Sequence, residues 1–315
     1  MTGYQPPQAL VPWARIAEHL GGTWPDGLPV EVYDGDGEPP EDLSAVRFYV
    51  QPYAKGAANY ELVRRMPALE AMQSLAAGVE KLLPLLPPGV VLCNGRGLHD
   101  ASAAEHAVGL VLAAQRDIPQ WVRQQGERRW DSHSTRSLAG SRVVLVGYGS
   151  IGAAIEARLL PFEVDVLRVA HHARPADSVH GIDTLPDLLP GADIVLLVLP
   201  ETPATIGLFG AEELAALPDD ALVVNIGRGR TVDTAALLAE TASGRLRAAL
   251  DVIDPEPLPA DHPLWSLPNV LLTPHVAGGS ATFYPRAERL VAEQLRRFAE
   301  GRPLLNVVRG RPDSG

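Results

Sequence analysis

Three residues of this chain could together move a proton and hold an anion: Arg228 in Asn225-Ile226-Gly227-Arg228-Gly229, Glu256 in Glu256-Pro257-Leu258, and His275 in Thr273-Pro274-His275. A histidine exchanges a proton near neutral pH. A carboxylate beside it stabilises the imidazolium and fixes its tautomer, while a guanidinium offers a planar fork that matches a carboxylate, which an ammonium does not. Such a set suits the interconversion of a 2-oxo acid and a 2-hydroxy acid. The arginine would hold the substrate carboxylate and polarise the ketone, and the histidine would protonate the developing alkoxide. Taken singly, each residue has an ordinary reading. Arg228 lies beside Arg230 and could be a surface side chain, Glu256 shares a proline-rich stretch with Asp251, Asp254 and Asp261, and a histidine that ends an apolar run such as Val270-Leu271-Leu272 is commonly structural. The order of the three, each after a predicted strand, is what points to a site.

A second stretch carries chemistry of its own. Arg142-Val143-Val144-Leu145-Val146-Gly147-Tyr148-Gly149-Ser150-Ile151-Gly152 runs an apolar strand into GxGxxG and then into a helix predicted over Ala153 to Leu160. Gly147 permits the tight turn, Gly149 lets the backbone approach a pyrophosphate, and Gly152 allows close helix–strand packing. The helix N-terminus would supply free N–H groups and partial positive charge to the phosphates. An NAD site usually places an acidic residue about 20 residues further on to hold the ribose hydroxyls. Here the chain reads Val169-Ala170-His171-His172-Ala173-Arg174. Without that carboxylate a 2′-phosphate is not repelled, and His171, His172 or Arg174 could bind it, so NADP(H) is expected over NAD(H).

These loops need elements to position them. From about residue 142, Val/Leu/Ile-rich runs recur at 143–146, 164–169, 192–199, 221–226, 248–253 and 269–272, with helix-like or turn segments between. Continuous rather than alternating apolar strands imply burial on both faces, and strand–helix alternation implies a doubly wound parallel sheet. The first hundred residues repeat the theme more weakly, at Val30–Tyr33, Val46–Val50, Met72–Leu75 and Val90–Leu92. They read as a second, smaller α/β unit. Ser102-Ala103-Ala104-Glu105 has the spacing of a capping box and opens a helix predicted to about Ile118, which makes Glu105 and His106 a cap and a helix-surface residue. Ala281 to Glu300 reads as an amphipathic helix closed by Gly301 and packed back on the first unit.

The composition narrows the class. The chain has 315 residues, 46% hydrophobic and 21% charged, which fits two ordinary globular domains. No apolar run approaches the roughly 18 residues of a membrane span, and the first residues lack the pattern of a signal peptide. A net charge of −11 argues against nucleic acid as a partner. The single cysteine, Cys93, precludes an internal disulfide and sits in an apolar run as a buried bystander, consistent with a cytoplasmic location. His99, His133 and His180 lack partners at metal-ligand spacing and the His171–His172 pair has no second pair, so no metal is expected. His262 is expected to shape the loop beyond Glu256.

With these motifs in view, the chain resembles the D-isomer-specific 2-hydroxyacid dehydrogenase family from about Leu75 to Asn306. The resemblance rests on the GxGxxG segment, Leu199-Pro200-Glu201-Thr202-Pro203-Ala204-Thr205, Asn225–Gly229, Ala249-Leu250-Asp251-Val252, Glu256-Pro257-Leu258 and Thr273-Pro274-His275. The intervals, 28 residues from Arg228 to Glu256 and 19 from Glu256 to His275, are typical of it. The resemblance implies two Rossmann-like domains with a discontinuous substrate domain, here residues 1–98 and 281–315, around a dinucleotide-binding domain at 99–280. It implies that Arg228 binds substrate, that Glu256 pairs with His275, and that His275 is the acid/base. It adds Tyr148, Ser150, Ile151, Leu199, Pro200, Thr205, Ile226, Gly227 and Gly278 to the cofactor surface and sets Asp251 near the nicotinamide carboxamide. The backbone of the Ala76–Val79 turn, Ala77 and Gly78 above all, would bind the substrate carboxylate. Apart from the resemblance, Tyr53 or Tyr284 could contact substrate or serve equally as core or surface residues. Glu105 matches a family position, and Gln120–Arg129 falls where a dimerisation arm is expected, so the partner is a second copy. The departures are the missing acid near Ala170 and the Gly278–Gly279 pair.

The expected activity is reduction of a small 2-oxo acid such as glyoxylate or hydroxypyruvate. Formate oxidation is disfavoured because the resemblance places glutamine, not glutamate, opposite the histidine in those enzymes. Phosphite dehydrogenases resemble the chain in the same three residues, as do redox-sensing corepressor-like proteins, and a 3-phosphoglycerate dehydrogenase is a further alternative. The absence of long disordered arms and of a basic nucleic-acid module favours the enzyme over the sensor.

Overall fold

Two predominantly parallel sheets, each in its own compact unit, organise the chain in a computed structural model that describes residues 6–56 and 58–310. One unit is formed by the chain up to His99 together with the segment from Ala281 onward. Its strands are β1 (Ala9–Val11), β2 (Val30–Val32), β3 (Phe48–Val50), β4 (Ala71–Gln73) and β5 (Val91–Cys93), all parallel. A last strand, Val307–Arg309, pairs antiparallel with β5, giving the order last-β5-β4-β3-β1-β2. Neither β1 nor the last strand is among the runs predicted from sequence. The long helix runs from Phe283 to Ala299 and buries Phe283, Val291 and Leu295 against Phe48 and Val50. Gly301 (φ +67°) ends it, with its N–H on Phe298 O and the Arg302 N–H on Arg297 O. Cys93 is buried here, and burial pushes its thiol up to about 12.

The second unit, Asp100–Ser280, holds a seven-stranded parallel sheet. Its strands are β6 (Arg142–Val146), β7 (Asp165–Ala170), β8 (Val179–Gly181), β9 (Ile194–Leu197), β10 (Leu222–Asn225), β11 (Arg247–Leu250) and β12 (Val270–Leu272). Alternate residues feed two cores. Val143, Leu145, Ile194 and Leu196 join one hydrophobic cluster, and Val144, Val146, Val195 and Leu197 the other. Both faces are covered, which is why these strands read as unbroken apolar runs. The order β12-β11-β10-β9-β6-β7-β8 reverses direction between β6 and β9, so the loops leaving those two strands lie at the switch point where such sheets bind ligands.

The helix preceding this sheet corrects one expectation. It begins at Asp100 and ends at Gln115, so Ser102 lies inside it and makes no capping box with Glu105. The Ser102 hydroxyl instead donates to Gly278 O at 3.3 Å, and Glu105 is exposed. Asp117, in a left-handed conformation (φ 51°), separates this helix from another at Ile118–Gly126. Nor is His106 a plain surface residue, since its ring nitrogen is held by Thr273.

Candidate active site

Strands β10, β11 and β12 are adjacent and parallel, so their C-terminal ends share one edge of the sheet. Arg228 follows β10, Glu256 follows β11 and His275 follows β12. His275 Nδ1 lies 2.6 Å from Glu256 Oε1. An ionised carboxylate only accepts, so Nδ1 carries the hydrogen and Nε2 keeps its lone pair until the ring takes a second proton. His275 sits in the left-handed region (φ 53°), with its own N–H on Asp251 O at 2.8 Å. A cavity of about 370 Å³ adjoins the pair, lined by Asp251, Ile253, Glu256, Pro257, Thr273 and His275. His262 Nδ1 accepts from the Leu264 N–H at 3.3 Å and so caps the turn beyond Glu256.

Arg228 is half-buried, while its neighbour Arg230 is exposed and paired with Glu201 at 3.3 Å. The loop is fixed by Asn225, whose Oδ1 accepts from the Gly227 N–H and whose Nδ2 donates to Arg228 O, each at 3.0 Å. A side chain at Gly227 would place Cβ 2.7 Å from both Leu199 N and Leu199 O, and at Gly229 it would lie 2.1 Å from Ile253 O. Both glycines are required by backbone packing, and Gly229 joins the Arg228 loop to the segment that carries Glu256. Asn225 and Gly229 were visible in the motif, but only packing shows their task.

Of the residues expected at the cofactor, the glycine loop and the Leu199–Pro200 segment leave the two strands of the switch point, while Asp251 and Gly278 follow β11 and β12. Gly147 (φ +107°) packs on Val198 O, where a Cβ would stand 2.5 Å away, and a Cβ at Gly152 would stand 2.7 Å from Gly147 O. Nothing lies within 4 Å of the Cβ position of Gly149, which leaves room for a ligand's backbone-hugging phosphates. Gly149 caps the helix Ser150–Leu159 without a side-chain bond, so the first-turn N–H groups of Ser150, Ile151 and Gly152 face that opening. These features fit a dinucleotide. The Leu199–Pro200 segment leaves β9 beside Gly227, and Thr205 locks its turn by donating to Pro200 O at 2.6 Å. Ile226 is buried in the core below, and Gly278 accepts from Ser102.

At the end of β7, Ala170 is followed by His171 and His172, exposed and in contact with each other at 4.3 Å between ring centres. Arg174 reaches back to the glycine loop, with Nη2 donating to Tyr148 O at 2.8 Å. Its guanidinium lies 5.8 Å from the Tyr148 ring centre, and that of Arg168 lies at 5.3 Å. Arg168 is engaged by the buried Glu156 at 2.7 Å, and Glu156 also accepts from the Tyr148 hydroxyl. Burial, then that hydrogen bond, holds the Tyr148 phenol above its usual range. Arg168 and Glu156 escaped sequence reasoning because their meeting depends on a helix lying over β7.

In the first unit, Ala76 N–H is held by Ser74 Oγ at 3.2 Å, Ala76 O by the Gly95 N–H at 2.7 Å and Ala77 O by Asn94 Nδ2 at 2.9 Å. A Cβ at Gly95 would lie 2.4 Å from Leu75 O, so this approach needs glycine. The turn therefore turns its carbonyls inward, and the N–H groups of Ala77 and Gly78 have no hydrogen-bond partner among the described residues. That suits an anion. The Tyr53 ring lies tilted against Phe283 at 4.2 Å and His99 at 5.5 Å between ring centres, and His99 Nε2 meets Leu75 O at 3.0 Å.

Comparison with known proteins shows the family and the fold. The family model for the D-isomer specific 2-hydroxyacid dehydrogenase NAD binding domain matches residues 108–277. D-3-phosphoglycerate dehydrogenase of Archaeoglobus fulgidus is 34% identical over 70% of this chain, which spans only 43% of that protein's length. A D-isomer specific 2-hydroxyacid dehydrogenase from Xanthobacter autotrophicus, solved with NADPH and MES, superposes with a TM-score of 0.80 at 33% identity, covering 97% of this chain and 98% of its own. An NADPH-dependent glyoxylate/hydroxypyruvate reductase from Sinorhizobium meliloti, solved with NADP and sulfate, gives 0.79 at 28% identity, covering 96% and 98%. The chain belongs to the D-isomer-specific 2-hydroxyacid dehydrogenase family.

Proposed function

We propose that this protein reduces a small 2-oxo acid of the glyoxylate or hydroxypyruvate type to the D-2-hydroxy acid, using NADP(H) in preference to NAD(H). The observation that carries the reading is the 2.6 Å contact between His275 Nδ1 and Glu256, which leaves Nε2 to exchange the proton. A reduced nicotinamide, when bound, would supply a hydride to the substrate carbon and be oxidised. The chain does the rest. Arg228 donates to Gly227 O through one of its five N–H groups and can direct others at the carboxylate and ketone oxygen. His275 delivers its proton from Nε2 to the ketone oxygen, and Glu256 balances the imidazolium before transfer. In oxidation the neutral ring takes the proton back. The N–H groups of Ala77 and Gly78 suit the substrate carboxylate, and Asp251 stands beside the histidine turn where the carboxamide is expected. The first unit and its returning C-terminal segment are read as the substrate domain, Asp100–Ser280 as the dinucleotide domain.

The cofactor preference is supported by the end of β7, which offers histidines and Arg174 where an acid would repel a 2′-phosphate. The test is spectrophotometric. With glyoxylate, hydroxypyruvate, pyruvate and 3-phosphohydroxypyruvate as oxidants, NADPH oxidation should exceed NADH oxidation on the two small acids. Arg174→Ala should raise KM for NADPH about tenfold or more while leaving that for NADH in place. Inactivity across the panel would instead favour a cofactor-sensing binding protein, and a preference for the phosphorylated acid would favour the reaction of the phosphoglycerate dehydrogenases.

We further propose a homodimer in the cytoplasm. Trp130 is 97% exposed and Val122 62%, beside a groove of about 630 Å³ lined by Trp121, Gln124, Arg128 and His133. Such an apolar surface suits a second copy. Sedimentation should give a dimer, and Trp130→Glu a larger monomer fraction.

A further inference from the structure

We propose that His106 is a positioning residue for His275, acting through Thr273 and Asp251. The proposal rests on the reading of His275 as acid/base. His106 lies on the helix Asp100–Gln115, far from the other site residues in sequence, and its Nε2 is 3.0 Å from Thr273 Oγ1 and 3.2 Å from Asp251 Oδ1. Thr273 gives its only hydroxyl hydrogen to Asp251 Oδ1 at 2.6 Å. Thr273 can therefore only accept from His106, and a carboxylate only accepts, so the hydrogen of His106 sits on Nε2.

Asp251 is the hub of the turn that presents His275. Its backbone carbonyl accepts from the His275 N–H at 2.8 Å. Its carboxylate, with no solvent exposure, accepts from the next two N–H groups, Val276 to Oδ1 at 3.0 Å and Ala277 to Oδ2 at 2.9 Å. Three successive amides at residues 275–277 thus hang on one residue, which is how the chain maintains the left-handed conformation of His275. A buried carboxylate keeps such a pose only while its lone pairs are matched by donors. His106 supplies one donor directly and orients another, the Thr273 hydroxyl. Without it the carboxylate is left short of a donor and can rotate toward water, which releases the amides and shifts the imidazole. A displacement of about 1 Å at a reacting group costs on the order of 100-fold in rate.

The test compares His106→Leu, which removes the donor, with His106→Gln, whose amide Nε2 donates at similar reach. Two readouts are needed: steady-state kinetics with glyoxylate or hydroxypyruvate, and the Cε1–Hε1 NMR correlation of His275, assigned by its loss in His275→Asn. In His106→Leu, kcat should fall about 10- to 100-fold with KM for the 2-oxo acid within about threefold, and the His275 signal should shift or broaden. In His106→Gln both should return toward wild type. Wild-type kcat and an unmoved signal in His106→Leu would overturn the proposal, as would equal impairment of both variants with a common drop in melting temperature, the mark of packing alone. If the unaltered protein reduces no 2-oxo acid, the enzyme reading fails. The NMR comparison still decides whether His106 holds the His275 turn.

Discussion

His275→Asn is expected to lower kcat for 2-oxo acid reduction about 1000-fold while leaving NADPH affinity unchanged, because the amide fits the backbone but cannot deliver a proton. Asparagine is the informative replacement. His275 occupies φ 53°, a region asparagine tolerates better than alanine or leucine, so the variant removes the acid without straining the turn. The amides at 275–277 remain on Asp251, and the glycine loop proposed for the cofactor leaves a different strand. Fluorescence titration with NADPH should therefore superpose on that of the unaltered protein, and only turnover, followed by NADPH absorbance, should collapse. Near-full turnover in this variant would remove His275 from the proton path and with it the role assigned to Glu256.

The parts of this site that were legible in the sequence are those whose position is set by one strand and the residue after it. Arg228, Glu256 and His275 each follow a strand whose both-face burial makes an unbroken apolar run, and neighbouring parallel strands bring their ends to one edge. Gly147, Gly149 and Gly152 are legible for the same reason, since strand, turn and helix are contiguous. What the sequence hid depends on distant packing. His106 precedes Asp251 by 145 residues, and its spacing with Glu105 resembled nothing more than a helix surface. Ser102 read as a cap because its spacing to Glu105 fits one, yet the helix starts at Asp100 and the hydroxyl serves Gly278. Strand β8, β1 and the last strand of the first unit are not among the predicted runs, and their pairing with neighbouring strands, not a local pattern, places them in the sheets. Arg174 was visible as a basic residue in the stretch where an acid for the ribose is usual. That Arg168 is occupied by Glu156 while Arg174 rests on the glycine loop required the fold.

Arg228→Lys should be nearly as damaging as loss of the histidine, although the charge is kept. The guanidinium already gives Nη1 to Gly227 O at 2.7 Å, which fixes the plane of the fork and leaves its remaining N–H groups to act together on a carboxylate and a ketone oxygen. An ammonium has no plane to fix and cannot make both contacts in that geometry. Nor can the loop move to compensate. Gly227 abuts Leu199, Gly229 abuts Ile253, and Asn225 is bonded across the turn, so the lysine must work from the arginine's backbone position. Loss of such a charged, paired contact costs about 2–4 kcal/mol, which corresponds to a fall in kcat/KM of roughly 30- to 1000-fold. Both constants should change, KM because the carboxylate is held less well and kcat because the ketone is less polarised. The melting temperature should stay within a degree or two of wild type, since half-buried Arg228 anchors no core cluster. A lysine variant with unaltered kcat/KM on the best 2-oxo acid would show that the substrate carboxylate is held elsewhere, and the Ala77–Gly78 turn would then be the group to alter.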